Sequence, residues 1–248
     1  MSKFGDPGFY GERYAHEYDD RTELDPAPAV TFLRGLVPAG GRVLELATGT
    51  GRVAIPLAAT GVAVEGIEGS PEMVERMRAR PGGAGISTVV GDMADLDGLD
   101  GLDGPYDLAY LVFNTLFNLT SQERQIDCFR NVARVLAPGG RFVIEAFVQD
   151  LTVFDNGQRV NTRALSEDAV NMEYQLHDPV AQTVTYQRVT IDAAGTTLRP
   201  LLLRYAWPSE LDLMARLAGL RRAARYAGWD SAPFTRTSKQ HVTVYEKA

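Results

Sequence analysis

Apolar and polar positions follow two different rhythms along this chain. In the first 150 residues, short apolar runs at 42–47, 62–68, 86–90, 106–113 and 141–147 read as strands. Between them lie stretches with the three-to-four-residue apolar spacing of amphipathic helices. One helix follows the first run to about residue 60. A second opens at Ser70-Pro71-Glu72 and runs through Arg80, with serine as N-cap, proline in the first turn and a glutamate complementing the helix dipole. A third is capped by Ser121, runs through Leu136 and stops at Pro138-Gly139-Gly140. This alternation predicts a parallel α/β sheet. Past residue 150 the pattern becomes strand after strand, at 170–176, 184–191 and 198–205, with turn signals at Asp178-Pro179 and Ala194-Gly195. That is an antiparallel meander, read as an insertion before a helix near 209–218 and strands at 221–226 and 240–245.

Composition narrows the class. The 248 residues suit one large domain, or a core with an insertion, and 45% hydrophobic with 23% charged residues is ordinary for a globular protein. A net charge of −7 argues against nucleic acid as an obligatory partner. Arg216, Arg221, Arg222 and Arg225 form a local basic group, read as a solvated helix end and one strand face. Cys128, the one cysteine, falls in a helical pattern and allows no intrachain disulfide. No signal peptide or bilayer-length apolar run is visible, so the expected location is cytoplasmic, without a membrane partner.

The first apolar run ends in Glu45-Leu46-Ala47-Thr48-Gly49-Thr50-Gly51-Arg52 and leads into a helical pattern. Glycine at such a turn lets backbone approach a ligand closely, and the helix N-terminus behind it offers free N–H groups. Gly49, Gly51 and Ala54 fit the dinucleotide fingerprint G-x-G-x-x-A. Glu45 disfavours that reading, because a carboxylate at the strand tip repels a pyrophosphate and attracts an ammonium or sulfonium. The run resembles motif I of the class I S-adenosylmethionine-dependent methyltransferases, acidic-x-G-x-G-x-G, with Ala47 in place of the first glycine. The resemblance covers residues 42–147 and, loosely, the C-terminal strands. It implies a Rossmann-like, doubly wound, mostly parallel seven-stranded sheet with an antiparallel C-terminal strand, here carrying the antiparallel β insertion. One domain is expected: a lid segment over 1–30, a core over 31–149 and 206–248, and an insertion over 150–205 covering the acceptor.

Glu68 ends the second strand at the edge where doubly wound sheets bind ligands, and a carboxylate there can accept both ribose hydroxyls. Glu65 is expected to point away. Gly91-Asp92-Met93-Ala94-Asp95 resembles the family's adenine-binding segment, with Asp92 accepting from the adenine amino group and Met93 packing on the ring. Phe113 and Asn114, after the fourth strand, are placed beside the reactive methyl, with Leu116 and Phe117 against cofactor or core. Tyr10, Tyr14 and Tyr18 repeat at helical spacing with Arg21 beyond, and suit a segment closing over the cofactor. The expected S-adenosylmethionine-binding set is therefore Tyr14, Tyr18, Arg21, Glu45, Ala47, Gly49, Gly51 and Arg52, with Glu68, Gly69, Ser70, Met73, Asp92, Met93, Phe113 and Asn114.

The segment after strand four lacks the Asn/Asp-Pro-Pro-aromatic motif of nucleic-acid amino methyltransferases and the aspartate of the metal-dependent catechol type. A small-molecule acceptor, N- or O-methylated without metal, is expected, as in bacterial natural-product and amino-sugar enzymes. Transfer is an in-line displacement, for which alignment and desolvation supply much of the catalysis. Glu145, His177 and His241 are the candidate catalytic groups; His16 is the remaining histidine. The insertion is also a candidate homodimer surface. An NAD-dependent oxidoreductase and a non-catalytic S-adenosylmethionine-binding regulator are the alternative readings.

Overall fold

The computed structural model describes residues 3–9, 11, 25–96, 99, 101–102 and 104–248. Seven strands form the main sheet: β1 (Arg42–Leu46), β2 (Ala63–Glu68), β3 (Ser87–Val90), β4 (Tyr106–Leu111), β5 (Leu136–Phe147), β10 (Leu220–Tyr226) and β11 (Gln240–Lys247). Their order is β10-β11-β5-β4-β1-β2-β3. The β1–β5 pairings are parallel, and β11 runs antiparallel to both β5 and β10. Strands buried on both faces account for the near-continuous apolar runs of β1 and β4.

Helices cover both faces. On one, α1 (Ala27–Leu36) and α2 (Ala54–Ala58) bury Val30, Leu33 and Leu57 against Val43, Leu108 and Val143. On the other, α4 (Gln122–Val135) and α5 (Pro208–Leu217) bury Phe129, Val132 and Leu211 against Leu44, Phe142 and Tyr245. Between them in sequence, α3 (Pro71–Ala79) follows β2, and Ser70 caps it by accepting the Met73 N–H at 3.3 Å.

The insertion is a second sheet of four antiparallel strands in sequential order: β6 (Gln158–Leu165), β7 (Val170–Asp178), β8 (Thr183–Asp192) and β9 (Gly195–Arg204). Buried Arg204 ties it to the core. Its guanidinium donates to Gln125 Oε1 of α4 and to Glu210 of α5, both at 2.7 Å, and Gln125 donates back to the Arg204 carbonyl at 2.8 Å.

Four elements differ from the sequence expectation. β6 was not anticipated, because Gln-Arg-Val-Asn-Thr-Arg-Ala-Leu lacks a clean apolar alternation and the strand lies at a sheet edge. α1 crosses the expected lid boundary at residue 30 and belongs to the core. α2 has only five residues. β5 starts at Leu136, so Pro138-Gly139-Gly140 lies inside a strand with a register irregularity opposite Tyr106–Leu108, where proline's lack of a backbone N–H is tolerated.

Candidate cofactor and acceptor site

Two adjoining cavities lie at the C-terminal edge of the parallel strands. The first is bordered by Ala47, Glu68, Gly69, Asp92 and Met93 from the core, by Leu119 and Arg124 beyond β4, and by Phe4, Pro7 and Phe9 from the N-terminal segment. Its volume of about 110 Å³ is well under the roughly 300–1,000 Å³ usual for small-molecule sites. The N-terminal segment fills part of it. A Cβ at Gly69 would stand 2.3 Å from the Pro7 carbonyl oxygen, so glycine permits this close approach.

The motif turn takes left-handed backbone at Ala47 (φ 54°), Gly49 (φ 60°) and Gly51 (φ 76°). Glu68 fastens it: one carboxylate oxygen accepts the Gly49 N–H at 2.7 Å, the other the Ser70 N–H at 2.9 Å. Burial raises the Glu68 pKa, opposed by these N–H groups. The carboxylate is thus held rigidly at the cavity wall with unused lone pairs. Asp92 is the second acidic wall. One oxygen accepts the Ala94 N–H at 2.8 Å, and the other pairs with Arg124.

Several residues of the expected cofactor set border neither cavity. Glu45 is 2% exposed, on the strand face that carries Val43, and borders neither cavity. Strand alternation turns it under α2, where the Ala54 N–H and Tyr110 surround it and burial pushes its pKa well up. Its Oε2 has no hydrogen-bond partner among the described residues. Gly51 serves packing: a Cβ there would lie 2.6 Å from Met77 Cγ and 2.8 Å from Ile55 Cδ1. Arg52 lies over the Phe113 ring, 5.5 Å from its centroid. Ser70 is the α3 cap, and Met73 is buried on α3. Glu65 points away as expected, pairing with Arg42 and accepting the Tyr106 hydroxyl at 2.8 Å. Tyr10, Tyr14, Tyr18 and Arg21, like His16, lie outside the described residues.

The second cavity, about 250 Å³, lies between the end of β4 and the insertion sheet. Phe113, Asn114, Asn118 and Phe147 form its core side, and Arg163, Glu173, Tyr186 and Arg188 its sheet side. Asn118 and Leu201 border both cavities. Phe113 (φ 56°) and Asn114 (φ 64°) are consecutive left-handed residues, a costly backbone for non-glycine side chains. Three contacts pin it. The Phe113 N–H donates to Glu145 at 2.8 Å, the Asn114 N–H to the Glu145 carbonyl at 3.3 Å, and Asn114 Oδ1 accepts the Phe147 N–H at 2.6 Å. Leu116 and Phe117 are wholly core.

The candidate catalytic groups border neither cavity. Glu145 accepts the Trp229 indole N–H at 2.8 Å on its second oxygen, so both oxygens are engaged, and burial raises its pKa. His177 stacks on Phe154 and is bonded to the Tyr205 hydroxyl at 2.9 Å. His241 is fully buried beside Phe234, with Nδ1 bonded to Thr243 at 2.8 Å. Burial, then Arg225, lowers its pKa to about 4.

Sequence reasoning missed Phe4, Asn118, Arg124 and the insertion-sheet residues. Only one signal could have found the last group, the inward alternation Tyr186, Arg188 along β8. Arg124 sits one turn into a helix whose only visible task was packing.

Fold and site together define an S-adenosylmethionine-dependent methyltransferase, and the chain belongs to that family. Residues 43–140 match the methyltransferase domain family. The solved CcbJ methyltransferase of Streptomyces caelestis is 39% identical, with a TM-score of 0.89 over 98% of this chain and 99% of that one. The cypemycin N-terminal methyltransferase of a Streptomyces species is 28% identical over 98% of this chain and 99% of its own length. The S-adenosylmethionine-bound amino pentose methyltransferase CalS10 of Micromonospora echinaspora shares the fold at 23% identity, TM-score 0.72, covering 95% of this chain and 96% of that one.

Proposed function

We propose that this enzyme methylates an amine nitrogen of a small-molecule acceptor by in-line displacement, without metal. In this reading the first cavity holds the nucleoside part of S-adenosylmethionine and the second holds the acceptor. The donor set suits the cofactor: Glu68 meets the ribose hydroxyls, Asp92 the adenine amino group, and Met93 the ring face. When bound, S-adenosylmethionine supplies an electrophilic methyl on a sulfonium. Asn118, common to both cavities, borders the line along which an acceptor nitrogen approaches. The insertion sheet excludes water from that line.

The observation that carries nitrogen over oxygen is the make-up of the second cavity's wall. Glu145 does not border it, and Glu173, the carboxylate that does, is paired to Arg163 and Arg188, so no unpaired carboxylate or histidine lines the cavity among the described residues. A high-pKa hydroxyl needs a base, whereas an amine needs only to be neutral. The N-terminal methyltransferase named for cypemycin supports the same atom class. Metal-free transfer is read from the sequence, since the segment after β4 lacks the aspartate of the metal-dependent catechol type. The test is product mass and position after incubation with S-adenosylmethionine and a panel of amines, phenols and alcohols. Methylated amines are expected; methylation confined to hydroxyls overturns the nitrogen reading.

A further inference from the structure

The acceptor cavity is walled on one side by an arginine-rich face in a chain of net charge −7. Residues opposite one another in antiparallel strands share a face. Arg188 stands opposite both Glu173 and Arg199, and Arg159 opposite Gln175, which in turn faces Tyr186. Arg159, Arg188 and Arg199 therefore share one face with Glu173, and with Asp192 at the far end of β8, while Arg163, at the β6 irregularity, reaches Glu173 directly.

At the cavity itself, Arg188 and Arg163 meet Glu173. Arg188 Nε donates to Glu173 Oε2 at 2.8 Å, and Arg163 Nη1 reaches the same oxygen at 3.4 Å. Gln175 donates to the other oxygen at 2.8 Å. Glu173 is 4% exposed and fully engaged, so its role is to hold the guanidinium groups. Burial raises its pKa, but the hydrogen bonds from Arg188 and Gln175 and the two guanidinium charges outweigh that and hold it ionised. Arg188 spends only Nε on this contact. Its two terminal nitrogens make no hydrogen bond to any described residue. Two cations and one anion leave one positive charge in a wall completed by Phe113, Phe147, Leu201 and Leu203 and by the uncharged polar groups of Asn114, Asn118 and Tyr186.

We propose that the acceptor carries a carboxylate, bound by the free edge of Arg188 with help from Arg163, so that its amine lies toward Asn118 and the cofactor cavity. This rests on the acceptor site assigned above. A planar guanidinium with paired N–H donors matches a carboxylate bidentately. One net positive charge matches a monoanion. A phosphate monoester dianion would leave excess negative charge beside buried Glu173. The substrate class is thus an amino acid or another amine bearing an acid at the length of the cavity.

The test uses full-length enzyme saturated with S-adenosylhomocysteine and four probes followed by calorimetry or ligand-observed NMR: 4-(aminomethyl)benzoate, its primary amide, benzoate and phenyl phosphate. The two carboxylates are expected to bind saturably, the amide roughly 10- to 100-fold more weakly. Arg188→Gln and Arg163→Gln should weaken the carboxylates while leaving S-adenosylhomocysteine affinity unchanged. If Arg188→Gln disrupts folding by stranding Glu173, the double variant Glu173→Gln/Arg188→Gln removes both charges and should show the same selective loss. Equal binding of acid and amide, no saturable carboxylate binding, or preference for phenyl phosphate overturns the proposal. Methyl transfer to neutral amines in the face of such results would leave the methyltransferase site standing and remove the carboxylate alone. Loss of S-adenosylhomocysteine binding in these variants would instead count against the division into two cavities.

Discussion

Trp229 donates its indole N–H to Glu145 across 2.8 Å, joining the segment between β10 and β11 to the carboxylate that holds Phe113. Glu145 therefore holds the Phe113-Asn114 backbone beside the second cavity, and under the proposed function it is a positioning residue that acts on the acceptor through that backbone. Replacing it with alanine leaves two buried donors unsatisfied, which costs about 2–4 kcal/mol of stability. Trp229→Phe removes one hydrogen bond and costs roughly 1 kcal/mol. In Glu145→Gln, which keeps one acceptor oxygen, kcat should fall by about tenfold or less, with the limbs of the pH profile unmoved. A loss on the order of a hundredfold or more, with a lost ionisation, would mean that Glu145 is a base after all.

Ala47 borders the cofactor cavity while holding a left-handed backbone. For a residue with a Cβ that conformation costs roughly 1–2 kcal/mol, partly offset by the lower chain entropy of alanine when unfolded. Ala47→Gly should accordingly stabilise the protein by about 0.5 kcal/mol, read as a higher urea midpoint at unchanged slope. A lower midpoint would show that the methyl's packing outweighs the backbone strain.

Glu68 carries the cofactor assignment. Glu68→Gln removes charge-assisted bonds to the ribose and loosens Gly49, so S-adenosylhomocysteine affinity should fall by about 1.5–3 kcal/mol, roughly 10- to 100-fold. Glu65→Gln is the matched control. It sits three residues earlier, paired with Arg42 at the opposite end of the sheet, and should leave the affinity unchanged. Equal losses in both variants would refer the effect to general destabilisation.

Much of the core was legible because local pattern and tertiary role coincide there. Strands buried on both faces are apolar runs, and Ser70 and Ser121 both cap helices as their sequence context predicts. The site was legible only where backbone makes it. The Ala47–Gly51 turn and the end of β2 are local, so Glu68 is foreseeable at the strand edge, where it borders the first cavity. The packing of Glu45 under α2 is not foreseeable, since one residue of strand alternation decides which way a carboxylate turns. The proposed acceptor wall depends on β6–β9 packing across the end of β4, a contact between segments distant in sequence. Arg163 and Arg188 look like any exposed arginines until that sheet is in place.

The N-terminal segment yields a prediction about motion. Phe4 and Phe9 meet edge to face at 5.1 Å, and Pro7 lies against Gly69. That segment lines the first cavity, and under the proposed function cofactor binding there displaces it. Hydrogen exchange in residues 3–9 should change when S-adenosylhomocysteine saturates the enzyme. Gly69→Ala, whose Cβ would collide with the Pro7 carbonyl, should raise exchange in the same segment without ligand. Exchange indifferent to both would place the segment outside the binding event.

His241 offers a test in which pH alone is varied. Its folded pKa, lowered to about 4 by burial, lies below the ~6.5 of an unfolded histidine. Between those values the unfolded chain binds a proton that the folded protein refuses, so stability falls as pH falls through that window. More than about one pH unit above that unfolded value the side chain is neutral in both states and contributes no slope. The full difference is on the order of 3 kcal/mol, from about 2.5 pKa units at 1.36 kcal/mol each. Other groups add their own slopes, so the informative quantity is the difference between wild type and His241→Gln. Glutamine can keep a polar contact to Thr243 but cannot take up a proton. The variant's unfolding free energy, measured by urea titration from pH 7.5 to pH 4, should fall less steeply than the wild type's, and the gap should open between pH 6.5 and pH 4. Catalysis should follow the same order. At pH 7.5 the variant should keep wild-type kcat, because His241 borders neither cavity. Parallel stability curves would show that the imidazole is reachable by water in the folded state, and a collapse of kcat at pH 7.5 would return it to the reaction.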